Sequence, residues 1–290
     1  MSIWNDLSWV EGIRTPFFNF FFDTVSLAGY GTFLILFLAF GYFFWSPQRF
    51  SRVAMLLFIS ALINGFLKDL FQDPRPDIEL MLDPRTGTSY GWPSGHAQIA
   101  VTLWGLLAYE MKDKFITIGA VTFIFLVAFS RMYLGVHDLG DVFAGLVIGS
   151  FILLIWHFAV IYKLYEQFSK LTWLFVIFFF QLLLFFFYPT HEGHEISIWF
   201  LGVMTGWYVG SSQIKLETNQ VTKLFLSLIS LVGVFFAMIF ITQLESSLEL
   251  TGIISILYSY SLGLFFSIFV TIFSTKNSGH TDCFKFYKSL

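Results

Sequence analysis

The run Leu139-Gly-Asp141-Val-Phe-Ala-Gly-Leu-Val-Ile-Gly-Ser-Phe-Ile-Leu-Leu-Ile-Trp156-His157-Phe-Ala-Val-Ile-Tyr162 carries one acidic residue near its start and is otherwise almost wholly apolar. A helix needs about 20 mostly apolar residues to cross a bilayer, so this stretch predicts a spanning helix. Similar runs precede it at Ser26–Trp45, Val53–Phe71, His96–Tyr109 and Phe115–Leu134, and follow it at Leu171–Tyr188, Ser197–Gln213, Leu224–Gln243 and Thr251–Ser274. With 57% hydrophobic and 12% charged residues in 290, the chain has too little polar surface for a water-soluble domain. Its 40 Phe and 9 Trp suit helices facing lipid with aromatics at the interface. The expected fold is an all-α, polytopic transmembrane helical bundle.

Four regions are expected: an interfacial segment over 1–25, a core over 26–165, additional spans over 166–275 and a cytoplasmic tail over 276–290. Between Ser2 and Asp23, Trp4, Trp9, Phe17, Phe18 and Phe21 are mixed with polar positions, which suits a helix lying in the interface. No basic flank, compact apolar core and small-residue cleavage site marks a removable signal peptide there. The single Cys283 rules out an intrachain disulfide, and a net charge of −3 argues against a nucleic-acid partner.

Lys and Arg favour cytoplasmic loops, and here they alternate. Arg49 and Arg52, Lys112 and Lys114, Lys163 and Lys170, Lys215 and Lys223, and the tail with Lys276, Lys285 and Lys288 fall on one side. The expected location is a bacterial inner membrane, with the C-terminus cytoplasmic. On the opposite side, Lys68, Arg75, Arg85 and Arg131 break the rule, and an anionic ligand would explain basic residues there.

These residues belong to three short stretches: Lys68-Asp-Leu-Phe-Gln-Asp-Pro-Arg75-Pro76, Pro93-Ser94-Gly95-His96, and Ser130-Arg131-Met-Tyr-Leu-Gly-Val-His137-Asp-Leu-Gly-Asp141. Pro74 and Pro76 stop the second span, so Lys68 and Arg75 can face one pocket. A guanidinium grips two oxygens of a tetrahedral oxyanion while an ammonium adds a compact charge. Ser94 is placed to cap the third span, Gly95 to admit a ligand to the backbone, and His96 to exchange a proton near neutral pH. His137 and Asp141, four residues apart, share a face if the fifth span begins there. A carboxylate on one ring nitrogen then leaves the other free as a nucleophile. A carboxylate inside an apolar run is costly and therefore suggests function.

With these residues in place, the chain resembles the type 2 phosphatidic acid phosphatase superfamily. That family's signature is Lys, six residues, Arg-Pro; then Pro-Ser-Gly-His; then Ser-Arg, five residues, His, three residues, Asp; Lys68 to Asp141 match it without a gap or substitution. The resemblance implies a helical catalytic core of five spans, here followed by additional C-terminal transmembrane helices. It implies that His137 attacks phosphorus to form a phosphohistidine, that Asp141 orients it, and that His96 is the general acid and then the base for water. Lys68, Arg75, Ser94, the Gly95 N–H and Arg131 are implied to bind the phosphoryl oxygens, with no metal or other cofactor.

The implied substrate is a lipid phosphate or diphosphate handled among membrane lipids, with polyprenyl diphosphate the first candidate. The number of spans, with the N-terminus outside, also resembles the glucose-6-phosphatase branch of the superfamily, which makes a sugar phosphate the competitor. Transfer of the phosphoryl group to a lipid acceptor is a further variant. An anion transporter predicts polar residues through several spans, and the last four carry very few; a catalytically dead scaffold predicts loss of His96, His137 or Asp141, and all are present. The apolar C-terminal half suits a lipid-guiding wall, a homodimer surface or a transport element. His191, Glu192, His194 and Glu195 read as a solvated loop rather than a metal site, and His157 as a packed residue of the fifth span. Asp77, Glu79, Asp83, Arg85 and Thr86 read as a solvated loop before Ser94, with contact to the leaving group as the alternative.

Overall fold

Apolar runs fold as helices in the computed structural model, which describes residues 4–86 and 89–162 and isolated positions between 172 and 263. The chain divides into two units, Met1–Leu34 with Met55–Phe158, and Ile35–Ala54 with Ala159–Leu290. In the second unit the ring of Phe50 is buried against Phe37 and Trp45. The three stretches singled out above all lie in the first. The last four expected spans, the His191–Glu195 cluster and Cys283 lie outside the described residues, apart from isolated positions within those spans.

The described helices are α1 (Trp9–Ile13), α2 (Pro16–Ser26), α3 (Gly31–Phe44), α4 (Pro47–Phe71), α5 (Gly95–Ala100), α6 (Leu106–Met111), α7 (Lys114–Tyr133) and α8 (Leu139–Ile161). Among the described residues, three stretches are long and apolar enough to cross a membrane: Arg49–Phe71, Lys114–Tyr133 and Leu139–Ile161. Pro16–Gly29 and Gly31–Tyr42 qualify together as a bent pair. The first span therefore differs from expectation. It does not begin at Ser26; α2 ends there, a tight turn covers Leu27–Gly29, and α3 starts at Gly31. The third span also differs. Between α5 and α6 the residues Val101–Gly105 form a π-helical turn, where the Thr102 hydroxyl donates to the carbonyls of Gln98 and Ile99 and competes with the regular ladder.

Local chemistry sets the helix ends that matter to the site. Pro16 and the Thr15 hydroxyl, which accepts from the Phe18 N–H, start α2. Asp113 caps α7 by accepting from the Ile116 N–H at 2.9 Å. α4 stops at Phe71 because Gln72 turns left-handed at φ 49° and Pro74 follows, which leaves Lys68 in its last turn and Arg75 just beyond.

α7 packs against α2 and α5. Its Ile124 and Val127 bury against Val25, Ala28, Ala100 and Val101, and its Ala128 against Ala97 and Val142 of α8. α8 comes closest to α5 where it is smallest: a Cβ on Gly145 would sit 2.5 Å from the Ser94 carbonyl oxygen, and one on Gly149 2.8 Å from that of Gln98. Small residues four apart let two backbones touch, which is how close packing is reached where lipid gives no hydrophobic drive. At the other end of α8, His157 Nδ1 meets the Tyr109 hydroxyl at 3.0 Å and ties α8 to α6.

Candidate active site

The Asp138 side chain builds the site's centre by capping α8. Its Oδ1 accepts from the Asp141 N–H at 2.9 Å, and its other oxygen takes a bond from Asn5. His137 thus precedes the helix rather than standing on its face, and the expected helical pairing is corrected to one across the helix start. Its Nδ1 lies 2.9 Å from Asp141 Oδ2, with both side chains buried. A carboxylate accepts only, so Nδ1 carries the proton and Nε2 keeps its lone pair. Arg75 Nη1 lies 3.3 Å from that nitrogen. Burial, and then the charges of Arg75, Lys68 and Arg131, push His137 well below 6.5, so the ring is neutral at physiological pH.

The cations are held by backbone oxygens. Lys68 donates to the carbonyls of Tyr90 and Gly91, the latter at 3.1 Å. Arg75 donates to the Ser89 carbonyl at 2.6 Å, the Ser89 hydroxyl at 2.8 Å and the Val136 carbonyl at 2.9 Å. Neither is a snorkelling residue reaching for water; Lys68 is aimed by the loop before Ser94, and Arg75 by that loop and the Val136 carbonyl.

Ser94 occupies the N-cap position of α5, yet its hydroxyl makes no capping bond and has no protein partner although buried. The expected cap is therefore corrected to a free buried hydroxyl. The turn is held instead by a polar ladder that sequence reading missed. Asn64 donates to the Pro93 carbonyl at 3.1 Å and to the Gln98 side chain at 3.0 Å, and Gln98 donates to the Ser60 carbonyl at 2.8 Å. A Cβ at Gly95 would lie 2.9 Å from Asn64 Oδ1, so that glycine is needed by the ladder itself. The available signal was Ser60 and Asn64, four residues apart in one apolar run, with Gln98 a further polar residue in another.

His96 follows at the start of α5. Its ring stands edge-on to Tyr30 at 4.5 Å between centroids, and its buried Nε2 has no protein partner. Arg131, at the end of α7, is completely buried and pairs with Asp83 Oδ2 at 3.0 Å. Asp83 is also completely buried, which corrects the expected solvated loop at this position. Burial pushes its carboxyl up, but bonds from Arg85 and Tyr30 and the charge of Arg131 prevail and hold it below the usual carboxylate range.

Buried donors with no protein partner, the side chains of Lys68, Arg75 and Arg131, and an imidazole with an outward lone pair have the chemistry to hold a tetrahedral anion beside a nucleophile. Residues 49–165 match the model of the PAP2 superfamily. The chain is 28% identical over 161 residues to the lipid A 4'-phosphatase of Bacteroides thetaiotaomicron, covering 50% of this chain and 71% of that one. It is also 28% identical over 151 residues to sphingosine-1-phosphate phosphatase 2 of Homo sapiens, covering 49% of this chain and 38% of that one. A crystal structure of a transmembrane PAP2 type phosphatidylglycerolphosphate phosphatase from Bacillus subtilis has 25% sequence identity, covers 57% of this chain and 84% of its own, and superposes with a TM-score of 0.47.

Proposed function

We propose, on the premise that residues 49–165 belong to the PAP2 superfamily, that this integral membrane protein is a lipid phosphatase working through a phosphohistidine at its non-cytoplasmic face. The observation that carries the reading is the His137–Asp141 contact at 2.9 Å, with Nε2 turned toward Arg75 inside the matched segment.

His137 Nε2 attacks phosphorus while the bond to the lipid oxygen breaks. His96 gives its proton to that oxygen, and the alcohol or lower phosphate departs. Asp141 keeps the Nδ1 proton and stabilises the charge on the ring. In the second half His96 takes a proton from water, the water oxygen bonds to phosphorus, and the N–P bond breaks to release phosphate. Lys68, Arg75, Arg131, the Ser94 hydroxyl and the Gly95 N–H hold the equatorial oxygens. Because Arg75 Nη1 already covers Nε2, a bound phosphoryl group must enter between them and take over that donor.

A lipid phosphate suits a site built where spanning helices end, because its headgroup reaches the cations while its chains stay in hydrocarbon. The named relatives act on lipid A and sphingosine 1-phosphate, which fall in this class. Within it we place polyprenyl diphosphate first. The test is phosphate release by purified protein from polyprenyl diphosphate, phosphatidate, lipid A, sphingosine 1-phosphate and glucose 6-phosphate. Release from lipids but not from the sugar supports the reading; a preference for the sugar overturns it.

A further inference from the structure

A guanidinium taken out of water needs a counter-charge, and the way it is paired decides which donors remain. Arg131 Nη1 is claimed by Asp83 Oδ2 at 3.0 Å and by the Ser26 hydroxyl. Its Nε and Nη2, which share the opposite edge of the fork, are buried with no protein partner. That edge has the geometry of a bidentate phosphate grip.

The counter-ion is itself held from several sides. Asp83 Oδ2 accepts from the Tyr30 hydroxyl at 2.5 Å, and Oδ1 accepts from Arg85 Nε at 2.7 Å. Arg85 continues to Asp23. The Tyr30 ring faces Arg85 with 4.8 Å from Cζ to its centroid, and it meets the His96 ring edge-on. A Cβ on Gly29 would fall on that ring, so the turn presses directly against it. Ser26, Gly29 and Tyr30 all precede the family match, which begins at residue 49.

We propose that Asp83 and Tyr30 are positioning residues that fix the free edge of Arg131 and the His96 ring, making the Ser26–Tyr30 turn part of the catalytic unit. The inference rests on the phosphatase reading for what the fork grips, but not for the existence of an anion site. Tyr30 serves both sides: its hydroxyl holds the carboxylate that aims Arg131, and its ring seats His96. Neither residue touches the reacting atoms.

The test is a double-mutant cycle on the full-length protein in detergent, reading orthovanadate affinity by calorimetry beside kcat and KM for a lipid phosphate. Asp83→Asn and Tyr30→Phe are each expected to weaken vanadate and to lower kcat/KM by about 10- to 100-fold. In an Arg131→Lys background, where no fork remains to be aimed, the further loss from Asp83→Asn is expected to fall to about threefold or less. Tyr30→Phe removes one hydroxyl and keeps the ring, so it carries the test if Asp83→Asn does not fold. Equal losses in both backgrounds, single variants with wild-type vanadate affinity, or a wild type that binds no vanadate would each overturn the inference. Lipid phosphates left intact by a wild type whose vanadate binding obeys the cycle would remove the phosphatase reading and leave the positioning network standing.

Discussion

Replacing Asp141 by Asn should nearly abolish turnover while leaving the helices assembled. In the wild type Asp141 Oδ2 accepts from His137 Nδ1 at 2.9 Å and from the Asp138 N–H at 3.3 Å. Both donors meet that one oxygen, so the amide oxygen can take its place and keep both bonds, and what is lost is the carboxylate's charge, which stabilises the imidazolium as Nε2 attacks. Losing one preorganised electrostatic stabiliser of this kind costs about 10²- to 10³-fold in kcat, which is ~2.7–4 kcal/mol of barrier. The stability cost is smaller, about 1–3 kcal/mol for a buried hydrogen bond to a charged group. The assay is phosphate release at saturating lipid, with thermal unfolding in detergent as the control for folding. A variant with kcat within about tenfold of wild type would refute the charge-stabilisation reasoning, since that loss should cost at least about two decades.

Three further outcomes follow from the same geometry. His96→Ala should slow release most for substrates with poor leaving oxygens and least for aryl phosphates, read as a steeper dependence of kcat on leaving-group pKa; an unchanged slope would contradict the acid role. His137 sits below 6.5 through burial and then the charge of Arg75, so Arg75→Gln should raise its pKa and move the acidic limb of kcat/KM to higher pH; a limb that stays or moves down would contradict that cause. Asp83 is held below 3.8, so its contribution is present above about pH 4 and lost as pH falls through the folded value. Asp83→Asn should therefore cost about 3–5 kcal/mol near neutrality and flatten the acid-side fall in thermal stability; an unchanged pH profile of Tm would count against the buried pair.

Much of the site could be read in the chain because its chemistry is local in sequence. Pro93-Ser94-Gly95-His96 and the His137–Asp141 spacing each sit within one turn of a helix start, where residue order alone places side chains near one another. Asp83 was misread for the opposite reason. It stands among Asp77, Glu79 and Arg85 in a polar loop, and only contacts to Tyr30 and Arg131, 53 and 48 residues away, show it to be buried. The break at Tyr30 was equally hidden, because Ser26–Trp45 carries no charge and hydropathy alone passes over the glycines on either side of Tyr30. Asn64 and Gln98 looked like single polar residues in apolar runs, and their pairing needed α4 and α5 side by side. The start of α8 shifted the His137–Asp141 pair from a helix face to a cap. The contact itself survived, since an N-terminal cap also brings residues four apart together.

The central claim is that the imidazole of His137 becomes covalently phosphorylated, and trapping that species tests it most directly. Protein quenched in alkali during turnover of a lipid carrying a radiolabelled phosphate should retain label that acid removes, on a peptide containing His137, with none in His137→Ala. Label on another residue, or an equal amount in that variant, would contradict the account.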